Sequence, residues 1–379
     1  MFKPEIQNNK VLIILALIGL ISVYWVANSY NLIEKDNLIE KNNAVRSMDK
    51  YIKEIKKSID LEINENDIYN SGILGIKSSL ITTIQDNENK NYLNSKLACT
   101  HPNFAALIIH LFKESELSSG DTVAVSMTGS LPGANLAFLA ACDAMNIYPV
   151  ILSSVGSSAW GANRENLTWL DMESILYNNK LINFRSEGVS IGGENDSGDN
   201  LTDEGIEIIE ENIQVNKAML INENTLSNTV QYKMDLFDNK YSLDKYKAYI
   251  NIGGGVSSIG YGTAKDTMKV GVIFPIELSD IVEENEGFSE SIAYNFLQND
   301  IVFINIKSIN LLANNWGLYP PSTSIEKFSG NLFYEKEQYN IRTIVIALLI
   351  NIILIGYVGI RSHRQIKRRM QNEEYDAVL

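Results

Sequence analysis

Four turns rich in glycine and serine stand where short apolar runs end, and they are where this chain could hold a small ligand or do chemistry. The first, residues 126–135, contains Ser126, Gly129, Ser130, Gly133 and Asn135. Its glycines let the backbone approach a ligand, and the helix expected after it would offer unpaired amides and a positive dipole to an anion. A structural reading stands beside it, with Ser130 and Asn135 capping that helix and the glycines serving the turn. The second turn, residues 153–163, contains Ser153, Ser154, Gly156, Ser157, Ser158, Trp160, Gly161 and Asn163. The third, residues 190–199, places Glu194, Asp196 and Asp199 within six residues. Three such carboxylates could hold a divalent cation, but the EF-hand spacing is missing, and a solvated acidic turn before a helix capped by Thr202 is the plainer reading. The fourth, residues 251–258, sets Gly253, Gly254 and Gly255 after another apolar run. Turns of this kind, converging, would make a pre-formed pocket for a small polar or anionic ligand.

Nucleophilic catalysis needs a serine beside a base. The candidates are Ser130 or Ser157 as nucleophile, His101 as base, and the Gly129 or Gly156 amide as oxyanion donor. Neither serine turn matches G-x-S-x-G, because Gly156 and Gly161 are five apart. His110 lies in an apolar run and reads as a core residue, whereas His101, just before Pro102, could face a cleft. With three histidines and two distant cysteines the chain offers no zinc motif, and no cofactor is indicated apart from a divalent cation at the acidic turn. Cys99 and Cys142 could bridge, although Cys142 in its apolar run suits a buried hydrophobe.

The elements that must position these turns alternate. Apolar runs at residues 122–127, 148–153, 181–184, 218–221, 248–252, 269–274 and 301–304 read as strands. Helices fit residues 103–113, 136–145, 171–177, 203–213 and 308–314. That alternation predicts an α/β fold of the Rossmann-like kind, a mostly parallel sheet with helices on both faces, in one compact domain over residues 71–340. Between residues 31 and 65, Leu32, Ile33, Leu38, Ile39, Val45, Met48, Ile52 and Ile55 recur near helical spacing, which predicts a helical stalk over residues 29–70 with an apolar packing face.

Two apolar stretches bracket these elements. Residues 11–28 and 341–360 are each long enough to cross the hydrocarbon core as helices; the first has no charge, and the second, from Thr343 to Ile360, carries Asn351 as its strongly polar residue. A cleavable signal peptide is the competing reading of the first, but its apolar core is long and Ala27-Asn28-Ser29 is a poor cleavage site. Lys3 and Lys10 precede the first stretch, and Arg361, Arg364, Lys367, Arg368 and Arg369 follow the second. The positive-inside bias then predicts a cytoplasmic N-terminus at residues 1–10, a cytoplasmic basic tail at residues 361–379 and an extracytoplasmic main domain. The formal net charge is −14; residues 1–10 contribute +1 and residues 361–379 contribute +2, so the span between them carries −17. Such an acidic domain disfavours nucleic acid as a partner.

In order, the segments CTHPNFAAL (residues 99–107), GDTVAV (120–125), TGSLPGAN (128–135), SSVGSSAWGAN (153–163), TWLDME (168–173) and GGENDSG (192–198) resemble the poly-gamma-glutamate system protein family. The resemblance covers most of the chain from about residue 79. It implies a membrane protein of the capsule-polymer machinery, an accessory subunit partnered by the membrane subunits of a poly-γ-glutamate synthesis or export complex. Its outer pocket would take a small anionic ligand or the polymer end. Two further functions stay open: an outer-face hydrolase or transferase acting on γ-glutamyl bonds, and a receptor or scaffold that binds a cation or metabolite.

Overall fold

The computed structural model describes residues 4–60, 62–85 and 92–376, and the chain divides into two compact units. Residues 36–333 form the larger; residues 1–35 and 334–379 form the smaller. Lys3, used above for orientation, lies outside the described residues.

Seven strands make the sheet of the larger unit: β1 (Thr122–Thr128), β2 (Tyr148–Ser154), β3 (Ser186–Ser190), β4 (Leu220–Ile221), β5 (Tyr246–Ile252), β6 (Gly271–Ile273) and β7 (Val302–Ile306). Their order is β4-β3-β2-β1-β5-β7-β6. Every neighbouring pair is parallel except β7 with β6. The chain runs outward from β1 through β2, β3 and β4, then returns to β5 on the other side of β1. In open parallel sheets such a reversal leaves a crevice at the strand ends. Strands buried on both faces read as continuous apolar runs, as β1, β2 and β5 do.

The helices of this unit include α1 (Leu38–Ser58), α2 (Tyr92–Thr100), α3 (Asn103–Glu114), α4 (Pro132–Met145), α5 (Trp169–Asn178), α6 (Asp203–Val215), α7 (Leu226–Lys240), α8 (Ile292–Gln298) and α9 (Ile309–Asn314), with further short ones at Val256–Ile259, Thr263–Thr267 and Leu278–Glu284. In one core cluster, Ala124 of β1 and Tyr249 of β5 pack with Phe237 of α7 and Phe296 of α8, the Tyr249 and Phe296 rings stacked at 4.8 Å. Local signals set the helix starts. Pro132 occupies the first turn of α4, Thr168 and Asp171 form a reciprocal cap at α5, and the Thr202 hydroxyl accepts from the Gly205 amide at α6.

Three expectations change. Residues 181–184 are not a strand: Leu181 closes α5 by donating its amide to Leu176, and the strand falls at Ser186–Ser190 instead. Its polar composition hid it from a hydrophobicity reading. The stalk helix is shorter than its apolar stripe. Tyr30–Glu34 is an extended strand paired antiparallel with Tyr334–Tyr339, and the helix is α1 alone. Ala44, Val45, Met48, Tyr51, Ile52 and Ile55 of α1 are buried against α3 and α4, so this helix is a layer of the larger unit. Finally α7, which the periodicity did not single out, sets Val230, Met234 and Phe237 on one buried face among polar residues.

The smaller unit contains helices at Asn9–Ala27 and Ile341–Asp376, both long and apolar enough to cross a membrane. They pack together, and the Asn351 amide donates to Ser22 Oγ at 2.9 Å while large side chains such as Leu20 and Ile353 are exposed. A hydrogen bond between helices with apolar surfaces outward is the arrangement that lipid favours. Arg361 pairs with Glu5 at 2.7 Å.

Candidate functional site

The carboxyl ends of the parallel strands open on a cleft of about 990 Å³. All four glycine- and serine-rich turns reach it: Ser130 from the first, Ser154, Gly156 and Ser158 from the second, Gly192 to Asp196 from the third, and Gly253, Gly254 and Gly255 from the fourth. Lys96 of α2 lines it too, as do Lys307 and Ser308 beyond β7.

The first two turns meet backbone to backbone. A Cβ at Gly161 would sit 2.7 Å from the Ser130 carbonyl oxygen and 2.3 Å from Ser157 Oγ, so only glycine fits. The Ser158 amide donates to Ser130 Oγ at 3.0 Å, and Ser157 Oγ donates to the Gly129 carbonyl at 3.0 Å. Strand pairing of Ser157–Ser158 with Thr82–Ile84 braces this layer. Asn163 bonds Ile76 O and Thr82 Oγ1, and the Trp160 amide donates to Ile76 O. Gly129, Ser157, Trp160, Gly161 and Asn163 therefore build the wall without lining it.

Beneath the fourth turn runs a polar chain across three strands. Tyr249 OH lies 2.8 Å from Ser126 Oγ and 2.5 Å from Ser258 Oγ, and Ser258 donates to Asn251 Oδ1 at 2.7 Å. Asn251 Nδ2 in turn reaches Gly253 O and Asn305 Oδ1. Satisfied polar networks of this kind fix a loop in one conformation. Ser126 is thus part of the support. Ser153 is bonded to Ser186 at 2.6 Å, and Asn135 Nδ2 holds the Thr128 carbonyl at 3.0 Å. Gly133 sits inside α4, where its missing Cβ lets the Cys99 carbonyl of α2 approach.

The third turn is pinned from below. Asp196 is buried and pairs with Lys233 of α7 at 2.5 Å; Ser190 Oγ and Ser257 Oγ each donate to it at 2.8 Å. Glu194 and Asp199 are exposed, and Asp199 accepts from Asn195 and Ser197. Among the described residues no three His, Cys, Asp or Glu side chains gather as a metal site, so these three carboxylates do not converge. Lys233 occupies the position that a cation at Asp196 would need.

The catalytic trio considered from the sequence is not assembled. Ser130 lines the cleft, but Ser157 is spent on backbone carbonyls and His101 lies away from the lining. His101 Nε2 bonds the Ile325 carbonyl at 3.2 Å, Nδ1 accepts from the Asn103 amide, and the ring meets Tyr69 edge to face. Burial pushes its pKa down to about 4. Cys99 and Cys142 are buried free thiols, both driven above their usual range by burial.

A buried base that does face the cleft is Lys96. Its Nζ donates to the Ser130 carbonyl and lies 2.8 Å from Ser158 Oγ, and no carboxylate pairs with it among the described residues. Burial in a place without a counter-charge pushes its pKa down to about 8, with the Cys99 thiol opposing slightly. Its one faint sign in the amino-acid pattern is a lysine on a short helix otherwise destined for burial. Thr128 Oγ1, at the end of β1, is buried without a hydrogen-bond partner among the described residues and also lines the cleft.

No family model matches the chain, and no curated protein matches it. Among solved structures it is similar to diaminopropionate ammonia lyase of Escherichia coli in apo form, at 11% identity over 74% of this chain and 76% of that one, TM-score 0.16. The same enzyme in complex with D-serine matches at 12% identity over 74% and 78%, TM-score 0.16. Likeness at that level assigns no fold and no activity. What belongs to the chain by its own structure is a mixed α/β unit with a mostly parallel sheet and a polar cleft at the strand ends.

Proposed function

We propose that this chain is a membrane-anchored accessory component of a poly-γ-glutamate synthesis or export system, whose outer-face, Rossmann-like α/β domain takes a small polar or anionic ligand in the cleft. The observation that carries the ligand reading is the convergence of four glycine- and serine-rich turns on one cleft whose lining includes the buried Lys96, which has no carboxylate partner among the described residues. An ammonium without a carboxylate partner among the described residues favours an anion, and Thr128 Oγ1 is a further hydroxyl in the lining of the same cleft. The two apolar helices and their basic flanks support a cytoplasmic-membrane location with both termini inside. The polymer system itself is supported by the sequence resemblance.

Thermal unfolding of the full-length chain in detergent micelles, with glutamate and with short γ-glutamyl oligomers, tests the ligand reading. Binding raises the midpoint in a concentration-dependent way. Equal midpoints with and without these compounds argue against it. In cells, deletion that leaves polymer amount and surface attachment unchanged argues against the accessory role. A cation-receptor reading draws less support, since Asp196 is committed to Lys233.

A further inference from the structure

Lys96 and Ser158 come from distant parts of the chain and meet in the cleft wall, Nζ to Oγ at 2.8 Å. From this geometry we propose that they form a base–nucleophile pair for acyl transfer from a small polar ester or amide.

Three features support the pair. Ser158 is held at both ends of its peptide unit: its amide bonds Ser130 Oγ and its carbonyl accepts from Ser157 Oγ. The side chain is therefore presented in a fixed direction. Lys96 is oriented by the Ser130 carbonyl, which leaves the contact with Ser158 as the other use of the amine. Because the amine loses its proton near pH 8, a large share of it is neutral in mildly alkaline solution, the state in which lysine acts as a general base. By contrast Lys233, the other buried amine of this region, is tied to Asp196 at 2.5 Å. The amides of Gly254 and Gly255, on the fourth turn, line the same cleft and have no acceptor among the described residues.

Neutral Lys96 takes the hydroxyl proton as Ser158 Oγ adds to the acyl carbon. The bond to the leaving group then breaks, and Lys96 returns the proton to it. Water adds to the acyl-serine, giving its proton to Lys96, and Ser158 Oγ leaves and is reprotonated, so that acyl donor plus water yields acid plus the leaving alcohol or amine. This pairing is independent of the polymer reading: it needs no partner subunit, and its test uses no γ-glutamyl compound.

The test is covalent labelling of the full-length chain in detergent by a small fluorophosphonate and a small sulfonyl fluoride, read by peptide mass. The adduct is expected on Ser158, at a rate that rises with pH around a midpoint of about 8. Ser158→Ala removes the adduct, and Lys96→Met slows it by about 100-fold or more while cooperative unfolding is retained. His101→Asn, outside the cleft, leaves the rate unchanged. Three results overturn the proposal: no Ser158 adduct with either reagent at pH 9, an adduct whose rate ignores Lys96→Met, or borohydride trapping of glyoxylate on Lys96 with Ser158 inert. The last would make the amine itself the nucleophile.

Discussion

Lys96, within α2, and His101, just after that helix, stand five residues apart, and burial drives both toward their neutral forms. They end in different surroundings. Lys96 projects from α2 into the wall of a cleft and touches a serine hydroxyl; His101 precedes α3 and is spent on the Ile325 carbonyl, the Asn103 amide and the Tyr69 ring. A perturbed base is therefore a functional candidate only where the fold gives it an open side and a reactive neighbour. Elsewhere the same perturbation is a cost of packing, and it shows up as acid sensitivity.

The comparison can be broken most decisively at Lys96. Lys96→Arg keeps a cation but no accessible neutral form, so it is expected to suppress Ser158 labelling about as far as Lys96→Met, by about 100-fold, whereas a purely electrostatic role would be preserved. A third buried base sharpens the contrast. Lys233→Met leaves Asp196 charged and unpaired beneath the third turn, and is expected to cost about 3–5 kcal/mol in denaturant unfolding; adding Asp196→Asn should recover much of that. Lys96→Met, which strands no carboxylate, should cost less.

His101 is expected to act on stability alone. Its folded pKa of about 4 lies below the unfolded value of about 6.5, so the unfolded chain binds the proton first as pH falls. Stability is then lost between about pH 6.5 and about pH 4, by on the order of 3 kcal/mol, and His101→Asn should flatten that part of the profile. A smaller effect is expected at Gly133→Ala. Its Cβ would lie 2.6 Å from the Cys99 carbonyl oxygen, pushing α2 off α4 at a cost of about 1–3 kcal/mol and loosening the Lys96 contact with Ser158. Unfolding and labelling measured on the same sample would show both.

Much of the α/β alternation was readable in the chain, because strands covered on both faces are continuous apolar runs and their ends are marked by glycine and serine. The four turns at the strand ends were readable for the same reason. The polar strand Ser186–Ser190 and helix α7 were not, since each shows a mixed surface whose buried side is defined only by what packs on it. Lys96 escaped the reading in a similar way. A lysine on a nine-residue helix looks solvated until α4 and the second serine turn close over it. Ser157 and Ser158 are indistinguishable as letters; the extended backbone there sends one hydroxyl toward backbone carbonyls and the other toward the cleft.

Direct titration of Lys96 is the sharpest test. With selectively ¹³C-labelled lysine in the full-length chain, and Lys96→Arg to assign the signal, the ε-carbon resonance of Lys96 is predicted to titrate with a midpoint near pH 8 and to move when Ser158 is changed to Ala. A midpoint near 10.5, the value of an ordinary solvated lysine, would contradict the account.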